Sequence, residues 1–200
     1  MVLFAPIQGV ATRCSAPAFA ASLSGQVLLR LFCRLPREEE VIVEGQLPLD
    51  GEVHHLQAEV PEPGLYYFDF NDTRAGWRIQ AEPGVPCTIL LQRGRGFRHA
   101  GHMQPMYFYV PKGTRTLYYY WKGRPHGLYN PDGERVKRVT DSGVFVKVKV
   151  PERMDGRLWH FRRLALGHLY FFNAPNCLAG SPAALLLPRE LAERDGLTRQ

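Results

Sequence analysis

Trp77 stands in the segment NDTRAGWR, residues 71 to 78, beside Asn71, Asp72, Arg74 and Arg78. Sugar recognition needs a flat ring for the apolar face of the pyranose and planar polar groups for its hydroxyls. Trp77 with Asp72, Arg74 and Arg78 is therefore the first candidate ligand site. The same residues have a plainer use, in which Asn71 and Asp72 shape a turn and Trp77 caps the end of a sandwich.

The second candidate is the aromatic row TLYYYWKG at 116 to 123. In an extended strand Leu117, Tyr119 and Trp121 point one way and Thr116, Tyr118 and Tyr120 the other. Leu117 assigns its set to the core, with the Tyr119 hydroxyl expected at a sheet edge and Trp121 closing the core near the turn. Tyr118 and Tyr120 then face outward, as a small stacking platform or as cross-strand partners that stabilise the sheet.

Other chemistries find less support. RGRGFRHAGH carries Arg93, Arg95, Phe97, Arg98, His99 and His102, which could meet an acidic glycan or a phosphate backbone. No nucleic-acid reader motif accompanies this charge, so nucleic acid is not an expected partner. His99 and His102 lack a spaced acidic or thiol partner for a metal, and His54 and His55 are strand neighbours that point to opposite faces. GxSxG is missing, and Glu38, Glu39 and Glu40 read as a solvated strand entrance rather than a catalytic carboxylate pair. The chain is not expected to be an enzyme, and no cofactor is implied.

The elements that must position these residues are short. With 45% apolar and 12% aromatic residues, 16 prolines and 19 glycines, the 200-residue chain can bury a core while breaking it into many strands and turns. GVFVKVKV has the clearest period of two, Val144, Val146, Val148 and Val150 on one face and Phe145, Lys147 and Lys149 on the other. The expected fold is an all-β, antiparallel two-sheet sandwich of jelly-roll type, with a short helix near the end where Pro188 suits a first turn and Gly196 a stop. Residues 1–24 read as an N-terminal extension, 25–180 as the sandwich and 181–200 as a tail carrying the helix. In NPDG, Pro131 presets φ and Gly133 accepts a positive one.

The net charge of +6 is mostly scattered arginine and reads as a solvated surface. Four cysteines, Cys14, Cys33, Cys87 and Cys177, permit two disulfides without requiring them; Cys33 and Cys87, in apolar runs, are expected as buried free thiols. An AFA triplet follows an apolar opening, but Pro6 and Arg13 interrupt it and no basic region precedes it, so a signal peptide is not established. No apolar run reaches the length of a membrane span.

YFYVPKGTRTLYYYW followed by GLYNPDGERV, with GLYYFDF, GWRIQAEPGVP and DGRLWHF in order around them, resembles the galactose-binding-like jelly-roll modules of secreted bacterial carbohydrate-active and surface proteins. It is also similar to bacterial pre-peptidase C-terminal domains. The resemblance covers about residues 58 to 175 and rests on turn and core signatures. It implies a noncatalytic accessory module, extracellular or at the cell surface, that binds carbohydrate or packs against a neighbouring protein domain. A structural calcium accompanies many such sandwiches, though the sequence names no ligands for one.

Overall fold

The computed structural model describes the backbone of residues 11–17, 26–34, 39–48, 53–59, 66–71, 78–80 and 97–98, together with backbone and side chains of 86–91 and 104–197 apart from the Leu166 side chain. The sheets are antiparallel throughout, and one short α-helix lies among the described residues, so the chain is all-β with a helical turn near its C-terminus. No helix among the described residues is long and apolar enough to cross a membrane. Two compact units divide the chain, Phe4–Val85 and a second built on Pro86–Gln200. The division falls inside the stretch 25–180 that the sequence reads as one domain. It coincides with EPGVP at 82 to 86, where two prolines withdraw backbone donors and discourage a continuous ladder.

In the first unit β1 (Ala11–Pro17) lies between β4 (Val53–Glu59) and β6 (Arg78–Gln80), while β2 (Gln26–Arg34) lies between β3 (Glu39–Pro48) and β5 (Tyr66–Asn71). Leu31 pairs with Val43 and Phe32 with Val41, which leaves Ile42 as the additional residue of a β-bulge.

The second unit contains β7 (Ile89–Leu90), β8 (Phe97–Arg98), β9 (Met106–Val110), β10 (Thr116–Gly123), β11 (His126–Tyr129), β12 (Arg135–Val139), β13 (Val144–Lys149), β14 (Arg157–Arg162), β15 (Leu166–Phe171) and β16 (Cys177–Leu178). One four-stranded sheet has the order β13-β10-β15-β8 and another the order β12-β11-β14-β9. The β16-β7 ribbon joins the second sheet through paired backbone bonds between Tyr107 and Ala179, 2.8 and 3.0 Å long.

Alternation explains which residues meet between these sheets. Leu117, Tyr119 and Trp121 of β10, Val146 and Val148 of β13, and Leu169 and Phe171 of β15 are buried, as are Phe108 of β9, Leu128 of β11, and Trp159 and Phe161 of β14. Phe108 stacks on Phe171 at 4.6 Å and Tyr119 meets Phe161 edge-on at 5.6 Å, so aromatic contacts bind the two sheets' inner faces into one core. Each large side chain removed from water in this way contributes roughly 1.5–3 kcal/mol. Gly167 belongs to the same inner surface, and a Cβ there would fall 2.6 Å from the Trp121 ring, so the glycine makes room for the indole.

Tyr119 departs from expectation at its hydroxyl. It lies 3.0 Å from Nε2 of the buried His126 instead of reaching a sheet edge. Burial pulls the imidazole down to about 4, opposed in part by the nearby Arg124 carbonyl. That carbonyl also accepts the Trp121 indole N–H at 3.1 Å. His126 is therefore a neutral core residue.

The helix α1 (Arg189–Arg194) follows Pro188 at its N-cap. It ends in a Schellman pair, Gly196 N–H to the Glu193 carbonyl at 3.1 Å and Leu197 N–H to the Ala192 carbonyl at 2.8 Å, which requires the positive φ of 64° that Gly196 supplies. Of the two cysteines with described side chains, both free, Cys177 is buried, its thiol pushed up to about 11 by burial. Cys87 is exposed, against the expectation of a buried thiol, because it precedes β7, a two-residue strand with a single neighbour.

Candidate functional site

The outer face of the β13-β10-β15 sheet carries an aromatic grid. Alternation turns Thr116, Tyr118, Tyr120 and Lys122 of β10 away from the core, and does the same for Phe145, Lys147 and Lys149 of β13 and for His168 and Tyr170 of β15. Register then sets them in rows. Tyr120 lies between Phe145 and Tyr170, and Tyr118 is paired with Lys147. On its other side Phe172 continues the ladder by donating its N–H to the Tyr118 carbonyl at 3.0 Å.

The rings touch without shielding one another. Tyr120 and Phe145 are 5.3 Å apart, Phe145 and Phe172 5.8 Å, and Tyr170 and Phe172 5.8 Å. Lys147 places its ammonium 5.8 Å from the centre of the Tyr118 ring, within cation–π range. Phe145 is 76% exposed, Phe172 56% and Tyr118 41%, while Tyr120 and Tyr170 are half-buried. Three exposed aromatic rings thus lie on one sheet face, an apolar exposure of the kind found at interaction surfaces.

The outer face of the other sheet also bears aromatics, but they are spent on each other. Tyr129 stacks on His160 at 5.1 Å and 11°, Tyr107 tilts against the same imidazole at 5.4 Å, and the Arg162 guanidinium covers the Tyr129 ring at 4.8 Å. His160 is buried, and burial followed by the Arg162 charge lowers its pKa. Little ring surface remains for a ligand there.

Beside the grid, at the ends of β9, β10 and β15, lies an open groove of about 560 Å³ lined in part by Lys112, Thr114, Arg115, Phe172, Asn173 and Arg194. Asn173 shapes its wall by acting as a strand substitute: its Oδ1 accepts the Tyr118 N–H at 2.9 Å and its Nδ2 donates to the Thr116 carbonyl at 2.6 Å. Phe172 belongs to both the groove and the grid, so the two are continuous.

The grid thus contains Tyr118 and Tyr120, both outward as the alternation requires. Phe145 and Lys147 were legible as an outward pair from the period of β13, whereas Tyr170 and Phe172 join them only through a pairing between distant strands. Asp72, Arg74 and Trp77 lie outside the described residues, and Arg78 is described only as the first residue of β6. His99, His102, Arg93 and Arg95 also lie outside them. Among the described residues no group of three His, Cys, Asp or Glu side chains is arranged to hold a metal ion. No family model matches the chain, and neither a curated protein nor a solved structure matches it.

Proposed function

We propose that the unit built on Pro86–Gln200 is a jelly-roll β-sandwich that binds carbohydrate without catalysis, as an accessory module of a larger, extracellular bacterial protein. The strand order supports the jelly roll. Counting β8 to β15 as one to eight, the sheets run 6-3-8-1 and 5-4-7-2, the order produced when eight antiparallel strands are wound as two Greek keys. Of the resemblance over residues 58–175, the segments YFYVPKGTRTLYYYW, GLYNPDGERV and DGRLWHF fall in this unit, and their likeness to galactose-binding-like modules supports the ligand class and the setting.

The observation that carries the binding role is the grid itself. Tyr118, Tyr120, Phe145, Tyr170 and Phe172 lie on one sheet face where the core makes no demand for them. Flat rings match the apolar face of a pyranose, while tyrosine hydroxyls and lysine ammonium groups reach its hydroxyls. The outward residues of β10, β13 and β15 include no carboxylate, so the face offers stacking and hydrogen bonding with no acid and base pair.

Glycan-array binding and affinity electrophoresis of the full chain test this reading. The chain should be retained by at least one polysaccharide, and Tyr120→Ala or Phe145→Ala should weaken retention by about tenfold, or ~1.4 kcal/mol. Trp77→Ala separates the segment 71–78 from the sheet face, since a site in that segment would be lost with Trp77 alone. Retention by no glycan would overturn the reading and favour a sheet face that docks a neighbouring protein domain.

A further inference from the structure

We infer that the ligand of this face is an anionic glycan, a chain bearing carboxylate or sulfate groups, read jointly by the aromatic grid and the basic groove beside it. The inference rests on the carbohydrate reading above and narrows it. Its basis is an imbalance of charge. The outward positions of β10, β13 and β15 hold Lys122, Lys147, Lys149 and His168 but no acidic residue. The groove adds Lys112, Arg115 and Arg194.

Two carboxylates bonded to groove residues are already committed. Asp195 is 2% exposed; its Oδ1 accepts the Arg194 Nε–H at 2.8 Å, and its Oδ2 accepts the Tyr109 hydroxyl and the Lys112 backbone N–H, both at 2.9 Å. Asp155 accepts the Gly113 N–H at 2.6 Å. Among the described residues, the terminal nitrogens of Arg194 and the side chains of Lys112 and Arg115 have no acidic partner. Arg194 is thus oriented through Nε while its outer edge stays available for a bidentate contact with carboxylate or sulfate.

Position makes these cations one site. Thr116 pairs with Lys149, Tyr118 with Lys147, Tyr120 with Phe145, and Lys122 with His168. From Lys122 back to Thr116 the strand advances about 20 Å at roughly 3.3 Å per residue. Arg115 follows directly, its carbonyl accepting the Val150 N–H at 2.9 Å, and opens into the groove. This track suits an oligosaccharide with repeated charges, its rings on the aromatics and its acidic groups toward the lysines and arginines. The exposure of these lysines and arginines makes the attraction salt-sensitive.

Affinity electrophoresis of the full chain through polygalacturonate, its fully methyl-esterified form, chondroitin, chondroitin sulfate and single-stranded oligothymidylate provides the test. Polygalacturonate should retain the chain about tenfold more strongly than its neutral ester, a difference that shrinks with added salt. The chondroitin pair reports whether sulfate adds to carboxylate. Arg115→Gln with Lys147→Gln should remove the preference for charge. Phe145→Ala, which alters no charge, should weaken retention as well, whereas simple ion exchange by a basic protein would ignore it.

Equal retention of acid and ester would overturn the anionic preference and leave the glycan reading intact. Insensitivity to Phe145→Ala would likewise overturn the joint site. Stronger retention by oligothymidylate than by any of the three acidic polysaccharides would assign the face to nucleic acid and overturn both readings. Absence of retention in all five matrices would overturn the inference, while the array described above decides the broader reading separately.

Discussion

The Asp195 carboxylate accepts the Tyr109 hydroxyl at 2.9 Å, joining the residue after α1 to an outward tyrosine of β9 that is 3% exposed. Burial alone would raise the Asp195 pKa, but bonds from Arg194, the Lys112 amide and Tyr109 outweigh it and hold the carboxyl below its usual range. Through its other oxygen Asp195 accepts the Arg194 Nε–H at 2.8 Å, so the end of the helix joins a buried anchor to an oriented positive charge beside the groove.

Asp195→Ala should cost about 2–3 kcal/mol, because it leaves the Tyr109 hydroxyl and the Lys112 N–H without their acceptor. Urea denaturation of the full chain measures this. Tyr109→Phe should cost less alone, and almost nothing further in the Asp195→Ala background, since both substitutions remove the same bond. Additive losses would mean that the two side chains act independently.

His126 makes stability depend on pH. Its folded pKa of about 4 lies below the ordinary 6.5, so the unfolded chain binds the proton more readily. The associated stability is present above pH 6.5 and is lost as pH falls from 6.5 toward 4, a difference of roughly 3 kcal/mol. His160 shifts in the same direction, whereas Asp195 acts in the more acidic window below its ordinary 3.8. Urea midpoints should therefore fall between pH 7 and 4.5, and His126→Gln should flatten the decline. Parallel slopes for the two proteins would show that the imidazole is not the source.

Local periodicity made much of this legible. Val146, Val148 and Val150 are buried, Val144 is half-buried, and Phe145, Lys147 and Lys149 are exposed, as alternation along one strand demands. The helix with its Gly196 stop and the turn at Gly133 likewise follow from residues a few positions apart. Pairing between distant strands leaves no such trace. Nothing in GVFVKVKV or LGHLYFFN states that Phe145 and Tyr170 flank Tyr120, nor could the row at 116 to 123 show that Tyr119 would find its partner in His126. The segment around Trp77 lies outside the described residues.

The NPDG turn should depend on Asn130 more than on its exposed neighbours. Asn130 is 1% exposed; its Oδ1 accepts the Asp132 and Glu134 N–H groups at 3.1 and 2.8 Å, and its Nδ2 donates to Glu134 Oε2 at 3.0 Å. Gly133 completes the turn with a φ of 84°. Asn130→Ala should cost about 2 kcal/mol through the lost acceptor. Asn130→Asp keeps that acceptor and should recover part of the loss, which thermal melts of the three proteins would reveal. Equal melting of all three would mean that Pro131 and Gly133 hold the turn unaided.

Gly167 sets the fit between β15 and the Trp121 side of β10. An added Cβ would lie 2.5 Å from the Lys122 carbonyl oxygen and 2.6 Å from the Trp121 ring, so either the strand or the indole must shift. The backbone is held by the pairing of Gly123 with Gly167, and Trp121 is fully buried, which leaves little room for relief. Gly167→Ala should therefore destabilise the chain by about 1–3 kcal/mol through overpacking. Movement of Trp121 should also alter tryptophan fluorescence, and Lys122, the next residue on the outer face, should be displaced with it. A variant with unchanged stability but altered emission would indicate that the indole rotates freely and is not tightly packed.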